Sequence, residues 1–316
     1  MIRLFSLLVG CCVGSAVLAA DPAYPSKPIH LVVPYSPGGA VDTTGRLLAD
    51  SFTRTLGQTA LVDYRAGAGG TIGASYVAKA QPDGYTLLVG GNGPLTVAPH
   101  LMSELNYEPL TDLEPVSLLV VAPLVLVVPE SRPWRSVDDL VAHAKRQPGV
   151  IRAASAGNGT SQHLALESFK SEANVEMIHA PYRGTSTALN DVLAGHVDMM
   201  FSDFSAVPHI NGGKLRALAV LAPERSALLP EVPTIGELGL PVNVYTYHML
   251  LAPQGTPDAV KNKLNQAVRT ALADPKVREP LESVGMFVRP TSPEEAAQFL
   301  KNDSAEVGRL LNNSGK

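Results

Sequence analysis

Two stretches of the chain carry the residue types that gripping a small anion requires. The first is Pro34-Tyr35-Ser36-Pro37-Gly38-Gly39-Ala40-Val41-Asp42, which runs from an apolar strand signal into a helix signal. The second, Ser155-Ala156-Gly157-Asn158-Gly159-Thr160-Ser161, does the same in the other half. Glycine lets a ligand come close to the backbone, and the first N–H groups of a helix are unpaired and sit at the positive end of its dipole. A single such turn is also what any tight strand-to-helix connection uses. A matching loop in each half points further, to two facing cradles for a small dianion or for the two ends of one acid. A third loop, Tyr182-Arg183-Gly184-Thr185-Ser186, adds Arg183, which reads either as a ligand cation or as a solvated surface charge. Gly91 and Asn92 beyond a strand signal at 85–89, His163 after the second loop, and Asp203 beyond a later strand complete the ligand-binding candidates. Asp203 reads as an acceptor for a ligand amine or hydroxyl, or as the cap of a turn.

Other chemistries find less support. Gly67-Ala68-Gly69-Gly70-Thr71-Ile72-Gly73 follows a strand signal, but Ile72 stands where G-x-G-x-x-G needs glycine, so a structural turn is expected. Gly212-Gly213-Lys214 continues with Leu215 rather than Ser or Thr, which is not a phosphate loop. The 8 histidines are scattered, with no H-E-x-x-H, and neither a metal nor a cofactor is expected. No G-x-S-x-G is present, and no catalytic residue is assigned, although a dispersed Ser/His/Asp triad stays open as an enzymatic alternative.

The elements that must position these loops alternate between strand and helix. The first half reads as a strand at 29–35, a helix to about 56, a strand at 60–63, a helix near 72–80 and a strand at 85–89. Two apolar strands, 116–121 and 124–128, are expected to be split by Pro123. The second half repeats the plan. A helix opened by the Ser136–Asp139 capping box is followed by strands at 150–155, 175–180, 197–201 and 215–221, with helices between. Thr256-Pro257, Asp274-Pro275 and Ser292-Pro293 each pair a capping residue with a proline expected at the first helical position. Such alternation implies α/β lobes with parallel-rich sheets flanked by helices. The 316 residues suit about two domains of roughly 150 residues. Lobe I is expected at 26–122 plus 223–316 and lobe II at 123–222, with a ligand cleft between them.

The N-terminus reads as an address. Arg3, an uncharged apolar stretch from Leu4 to Leu18, and small residues before Asp21-Pro22 make residues 1–20 an expected cleaved signal peptide. Leu8-Val9-Gly10-Cys11 offers a lipoprotein alternative that sits too early in the apolar region. Cys11 and Cys12 are the only cysteines, so the mature chain has no disulfide, thiol nucleophile or cysteine-bound metal. The run from Val116 to Val128 is too short to span a bilayer. A net charge of −4 with no basic stretch makes nucleic acid and anionic membrane poor partners.

Many separate motifs point to one family. They include Tyr24-Pro25-Ser26-Lys27-Pro28-Ile29, Pro37-Gly38-Gly39 with Asp42, Arg65-Ala66-Gly67-Ala68-Gly69-Gly70, and Pro82-Asp83-Gly84-Tyr85-Thr86-Leu87-Leu88. The Ser155–Ser161 loop with His163-Leu164, Pro181-Tyr182-Arg183-Gly184, the Gly213–Val220 segment and Leu251-Ala252-Pro253-Gln254-Gly255-Thr256-Pro257 extend the match. Across nearly all of its mature length the chain resembles the Bug family, the TctC-like periplasmic solute receptors of tripartite tricarboxylate transporters. That resemblance implies a type II-like periplasmic binding fold whose lobes close on a small mono-, di- or tricarboxylate. It also implies that the ligand is delivered unchanged to the membrane permease subunits of such a transporter. The carboxylate would be held between the two glycine loops, partly through ordered water, in a soluble periplasmic monomer. A receptor reporting to a signalling partner, or a periplasmic hydrolase or transferase, are the alternatives. Two segments depart from the family pattern. Phe201–His209 is one residue short and lacks an internal proline, and Tyr247-His248-Met249 replaces an aromatic pair ending in glycine. Both are expected to reach the cleft.

Overall fold

The computed structural model describes residues 24–102 and 104–313; the expected signal segment lies outside them. The chain opens with β1 (Ile29–Val33), α1 (Ala40–Leu56), β2 (Ala60–Tyr64), α2 (Thr71–Ala78) and β3 (Thr86–Gly91). Two short turns, α3 (Ala98–Leu101) and α4 (Pro109–Asp112), lead to the long strand β4 (Leu113–Pro129). The middle of the chain forms α5 (Val137–Arg146), β5 (Arg152–Ser155), α6 (Ser161–Ala173), β6 (Ile178–Pro181), α7 (Thr185–Leu193), β7 (Met199–Ser202), α8 (Val207–Asn211) and β8 (Leu215–Leu221). It returns through β9 (Tyr245–Pro253) to α9 (Asp258–Ala273), α10 (Pro275–Glu282), β10 (Phe287–Val288) and α11 (Pro293–Asn313).

The strands run in the order β2-β1-β3-β9-β4-β7-β5-β6, with β8 and β10 also paired to β4. Parallel pairing is found in the two wings, β2-β1-β3 and β7-β5-β6, where each strand is followed by a helix that carries the chain back. Antiparallel pairing enters with β4, β8 and β9, which run through the middle.

The expected break at Pro123 does not occur, because β4 is one strand of 17 residues. Residues 113–123 of β4 pair with β9, ending at Pro123 opposite Tyr245, while residues 124–129 pair with β8 and 125–127 with β7. A proline has no N–H to give a ladder. It therefore fits where the strand leaves one set of partners for another, and β4 passes through the waist between the lobes.

Alternate residues of each buried strand face opposite sides and fill separate cores. In the first lobe Leu31, Val33, Leu87 and Val89 pack with Phe52, Leu48 and Leu264, while Val32 and Leu88 pack with Tyr247, Met249 and Leu300. In the second, Leu124, Leu126 and Val128 pack with Phe169, Phe201 and Trp134, while Val125 and Val127 pack with Met200, Phe204 and Leu189. Both sheet faces are thus covered by helices, leaving the strand ends as the accessible edges. Leu229, Ile235, Val242 and Val244 join the second lobe's cores, as do Val307 and Leu311 from the far end of α11. Helix starts follow local chemistry. Ser136 Oγ accepts from Asp139 N at 3.1 Å, and Ser292 and Glu295 exchange reciprocal bonds of 3.2 and 2.8 Å. At Thr256-Pro257 the proline is the cap itself rather than the first helical residue, and α9 begins at Asp258.

Candidate functional site

A cavity of about 40 Å³ lies between the lobes where the three loops meet. Its lining comes from the start of α1 (Tyr35, Ser36, Gly39, Ala40, Val41, Asp42), the end of β3 (Gly91, Asn92), the start of α6 (Ala156, Thr160, Ser161, Gln162), Thr185 of α7, Asp203 beyond β7, and Leu124, Thr246 and His248 of the waist strands. Three helices of 17, 13 and 9 residues therefore begin at one small space. Neither α1 nor α7 has a side-chain cap at its N-terminus, so their first N–H groups are left for something outside the protein. At α6 the Thr160 hydroxyl accepts only from His163 N, at 3.4 Å. Among the described lining residues none is a lysine or arginine.

The polar side chains are arranged around these helix starts. Asp42, whose side chain is wholly buried, accepts from Gly38 N at 2.7 Å and from Tyr64 Oη at 2.7 Å, and Arg46 Nη2 lies 3.1 Å from its Oδ2. It shapes the first loop from within, and its charge is already balanced. Gln162 links two loops of the second lobe. Its Oε1 accepts from Ala156 N at 2.7 Å and its Nε2 donates to Thr185 Oγ1 at 2.9 Å, which leaves the Thr185 hydroxyl proton available to a ligand. Asn92 donates to Tyr245 O at 2.8 Å, tying the end of β3 to β9. His248 is 1% exposed, with Nδ1 2.8 Å from Thr44 Oγ1; burial pulls its pKa down to about 3, so the ring is neutral.

Comparison with known families agrees with this geometry. The profile described as tripartite tricarboxylate transporter family receptor matches residues 44–316. The chain belongs to that family. The receptor is similar to the periplasmic binding protein BugD, at 35% identity and TM-score 0.89 over 92% of this chain and 99% of that one. It is similar to MatC from Rhodopseudomonas palustris with bound malate, at 34% identity and TM-score 0.88 over 91% of this chain and 99% of that one. A third similar structure is R. palustris Rpa4515 with adipate, at 31% identity and TM-score 0.88 over 92% of this chain and 98% of that one. By family and by fold the receptor is a solute-binding protein of the two-lobed periplasmic class.

Of the candidates read from the sequence, the receptor brings Gly39, Ala40, Asp42, Gly91, Asn92, Thr160, Ser161, Thr185 and Asp203 to the cavity. Pro37, Gly38, Gly157, Asn158, Gly159, His163, Tyr182, Arg183 and Gly184 are not among its lining. Most of these form the seam along which the lobes touch. Ser36 N and Oγ both donate to Arg183 O at 3.2 Å, and Ser186 Oγ donates to Pro37 O at 2.8 Å. A Cβ on Gly157 would meet Gly69 Cα at 3.1 Å, one on Gly159 would meet Ala98 Cβ at 3.0 Å, and one on Gly69 would collide with the Asn158 carbonyl. These glycines let two backbones approach each other rather than a ligand. The Arg183 side chain is exposed, Tyr182 turns away to donate to Asp191 Oδ2 at 2.6 Å, and His163 stacks on His179 at 4.0 Å within the second lobe. Ser155 Oγ lies 2.6 Å from His179 Nε2, yet this serine is wholly buried, accepts from Gly157 N and is not part of the cavity lining.

Sequence reasoning missed Gln162, Leu124, Thr246 and His248 as site residues. Gln162 sits one residue past the Ser155–Ser161 loop. The others lie on strands whose approach to the cleft depends on long-range pairing, and only the unusual Tyr247-His248-Met249 segment signalled one of them.

Proposed function

We propose that the receptor captures a small organic acid between its lobes and delivers it to the membrane permease subunits of a tripartite tricarboxylate-type transporter. The observation that carries this reading is the meeting of three helix N-termini, two of them uncapped, at one cavity between the lobes with no lysine or arginine among its described lining residues. Backbone N–H groups and helix dipoles then supply the attraction for a carboxylate. Malate bound to MatC and adipate bound to Rpa4515 support the same ligand class here. The site is proposed to comprise the nine cavity-lining candidates, with the remaining glycine-loop residues acting through closure. Lobe I is taken as 26–122 and 223–316 and lobe II as 123–222, with the stretch around 229–244 packed onto lobe II. The protein is proposed to be exported to the periplasm after loss of residues 1–20, and to act on its ligand without chemistry. Capture requires the lobes to part, since a cavity near 150 Å³ is what a benzene-sized molecule occupies and this one is about 40 Å³. The test is mass spectrometry of whatever small molecule leaves the gently purified protein on denaturation. An intact carboxylic acid at near-stoichiometric yield is the expected result; a non-acidic ligand, or an acid consumed on incubation, refutes the reading.

A further inference from the structure

Among the described residues, Asp203 is the one charged group of the cavity lining without a counter-charge. It follows β7, is 5% exposed, and its carboxylate makes a single hydrogen bond, accepting from Ser205 N through Oδ1 at 3.0 Å. Among the described residues no lysine, arginine or histidine nitrogen lies within 4 Å of its carboxylate. Asp42, the other acid in the lining, has both oxygens engaged and Arg46 beside it. A buried carboxylate is costly unless something pairs with it, and an ionised carboxylate can only accept. The neighbouring groups do not relieve it. His248 is held neutral by burial, Thr246 gives its hydroxyl proton to Asn92 Oδ1 at 3.4 Å, and the Asn92 amide donates to Tyr245 O and makes no bond to Asp203. The cavity thus combines donors at the helix starts with a carboxylate oxygen of Asp203 that no protein group engages.

We propose that Asp203 determines specificity by selecting acids that carry a hydrogen-bond donor, an ammonium or a hydroxyl, in addition to the carboxylate held at the helix starts. This rests on the carboxylate-capture reading above and narrows it. A ligand with a donor supplies Asp203 with a charge-assisted bond inside a site of low dielectric. A bare acid leaves Asp203 buried and unpaired, and the second carboxylate of a bare diacid would add like-charge repulsion. A site built around an acceptor rejects the analogue lacking the donor far more strongly than a site built on apolar contact does.

The experiment is calorimetric titration of the dialysed, exported protein with two matched triads. One is succinate, L-malate and L-aspartate; the other is propionate, L-lactate and L-alanine. In at least one triad a donor-bearing member is expected to bind at least tenfold tighter than the bare acid. The ammonium acid leading identifies a cationic partner for Asp203, and the hydroxy acid leading identifies a neutral one. Asp203→Asn keeps an oxygen for Ser205 N, and it should collapse that ratio at least tenfold. Should the variant fail to fold, the wild-type ratios alone decide. Equal or tighter binding of the bare acids overturns this inference and leaves carboxylate capture standing, and so does an unchanged ratio in folded Asp203→Asn. Binding of no member of either triad overturns this inference, and carboxylate capture is then decided by the ligand released on denaturation.

Discussion

Replacing Gly39 by alanine separates ligand contact from folding more cleanly than any other single change. Gly39 has φ −91° and ψ 177°, a conformation open to any L-residue, and an added Cβ would meet nothing closer than Thr185 Cβ at 3.8 Å. The folded state therefore has no steric reason to object. Alanine is a poorer N-cap than glycine by roughly 0.5–1 kcal/mol, while the loss of backbone freedom in the unfolded chain works the other way by ~0.4–1 kcal/mol. Net stability should stay within about 0.5 kcal/mol of wild type. Binding should respond quite differently. A methyl group takes roughly the volume share of a water, ~30 Å³, at the rim of a cavity of about 40 Å³. It pushes the carboxylate off the start of α1 and loses a charge-assisted bond of ~2 kcal/mol, which is about 30-fold in affinity. Calorimetric titration with the acid that binds the wild type tightest, alongside thermal unfolding of the ligand-free proteins, measures both terms. Gly159→Ala is the control, since Gly159 lies at φ +70° with Ala98 Cβ 3.0 Å from the added carbon. It should lose stability through left-handed strain of ~1–2 kcal/mol. Wild-type affinity in folded Gly39→Ala would remove α1 from the anion site, and a large drop in its melting temperature would make Gly39 a folding residue.

Four further outcomes are expected. His248 titrates near 6.5 when unfolded and at about 3 when buried, so the unfolded chain holds the extra proton in between. Stability should therefore fall as pH drops below 6.5, by ~2 kcal/mol at pH 5 and on the order of 4 kcal/mol near pH 3, and His248→Gln should flatten that slope in denaturant titrations; an unchanged slope would place the acid sensitivity elsewhere. Closure should shrink the radius of gyration in small-angle scattering when ligand is added, as in other hinge-closing receptors. Ser36→Ala with Ser186→Ala, which removes side-chain bonds across the seam, should weaken binding about fivefold at ~1 kcal/mol for the pair; full affinity would show that the seam does not hold the closed form. Mass spectrometry of the exported protein should find an unlipidated N-terminus at Ala20 or Asp21, and a diacylated Cys11 would refute that.

What the amino-acid sequence determines by itself is what short-range chemistry decides. A capping serine at 136, the Thr160 cap of α6 and the glycine turns ahead of α1 and α6 act within a few residues, and each start falls where those residues place it. The alternation of apolar strands and helices and the family motifs are legible for the same reason, as is the presence of a loop-lined cleft. Half of the candidate ligand residues also reach the cavity, because a loop leading into a helix points its first N–H groups along that helix's axis.

Tertiary structure alone decides which of two uses each glycine serves. Gly39 faces the cavity, whereas Gly157 and Gly159 have the same local surroundings in sequence but meet Gly69 and Ala98 of the other lobe. No local signal tells a ligand's approach from a partner backbone's approach, since both ask only for a missing side chain. Pro123 shows the converse. Its missing N–H predicts a strand end, and long-range pairing converts that defect into the point where one strand changes partners. Thr246 and His248 lie on β9, far in sequence from every loop, and reach the cavity because antiparallel pairing sets β9 between β3 and β4. Sequence specifies the turns that can receive an anion, and the packing of two lobes specifies which side chains stand around it.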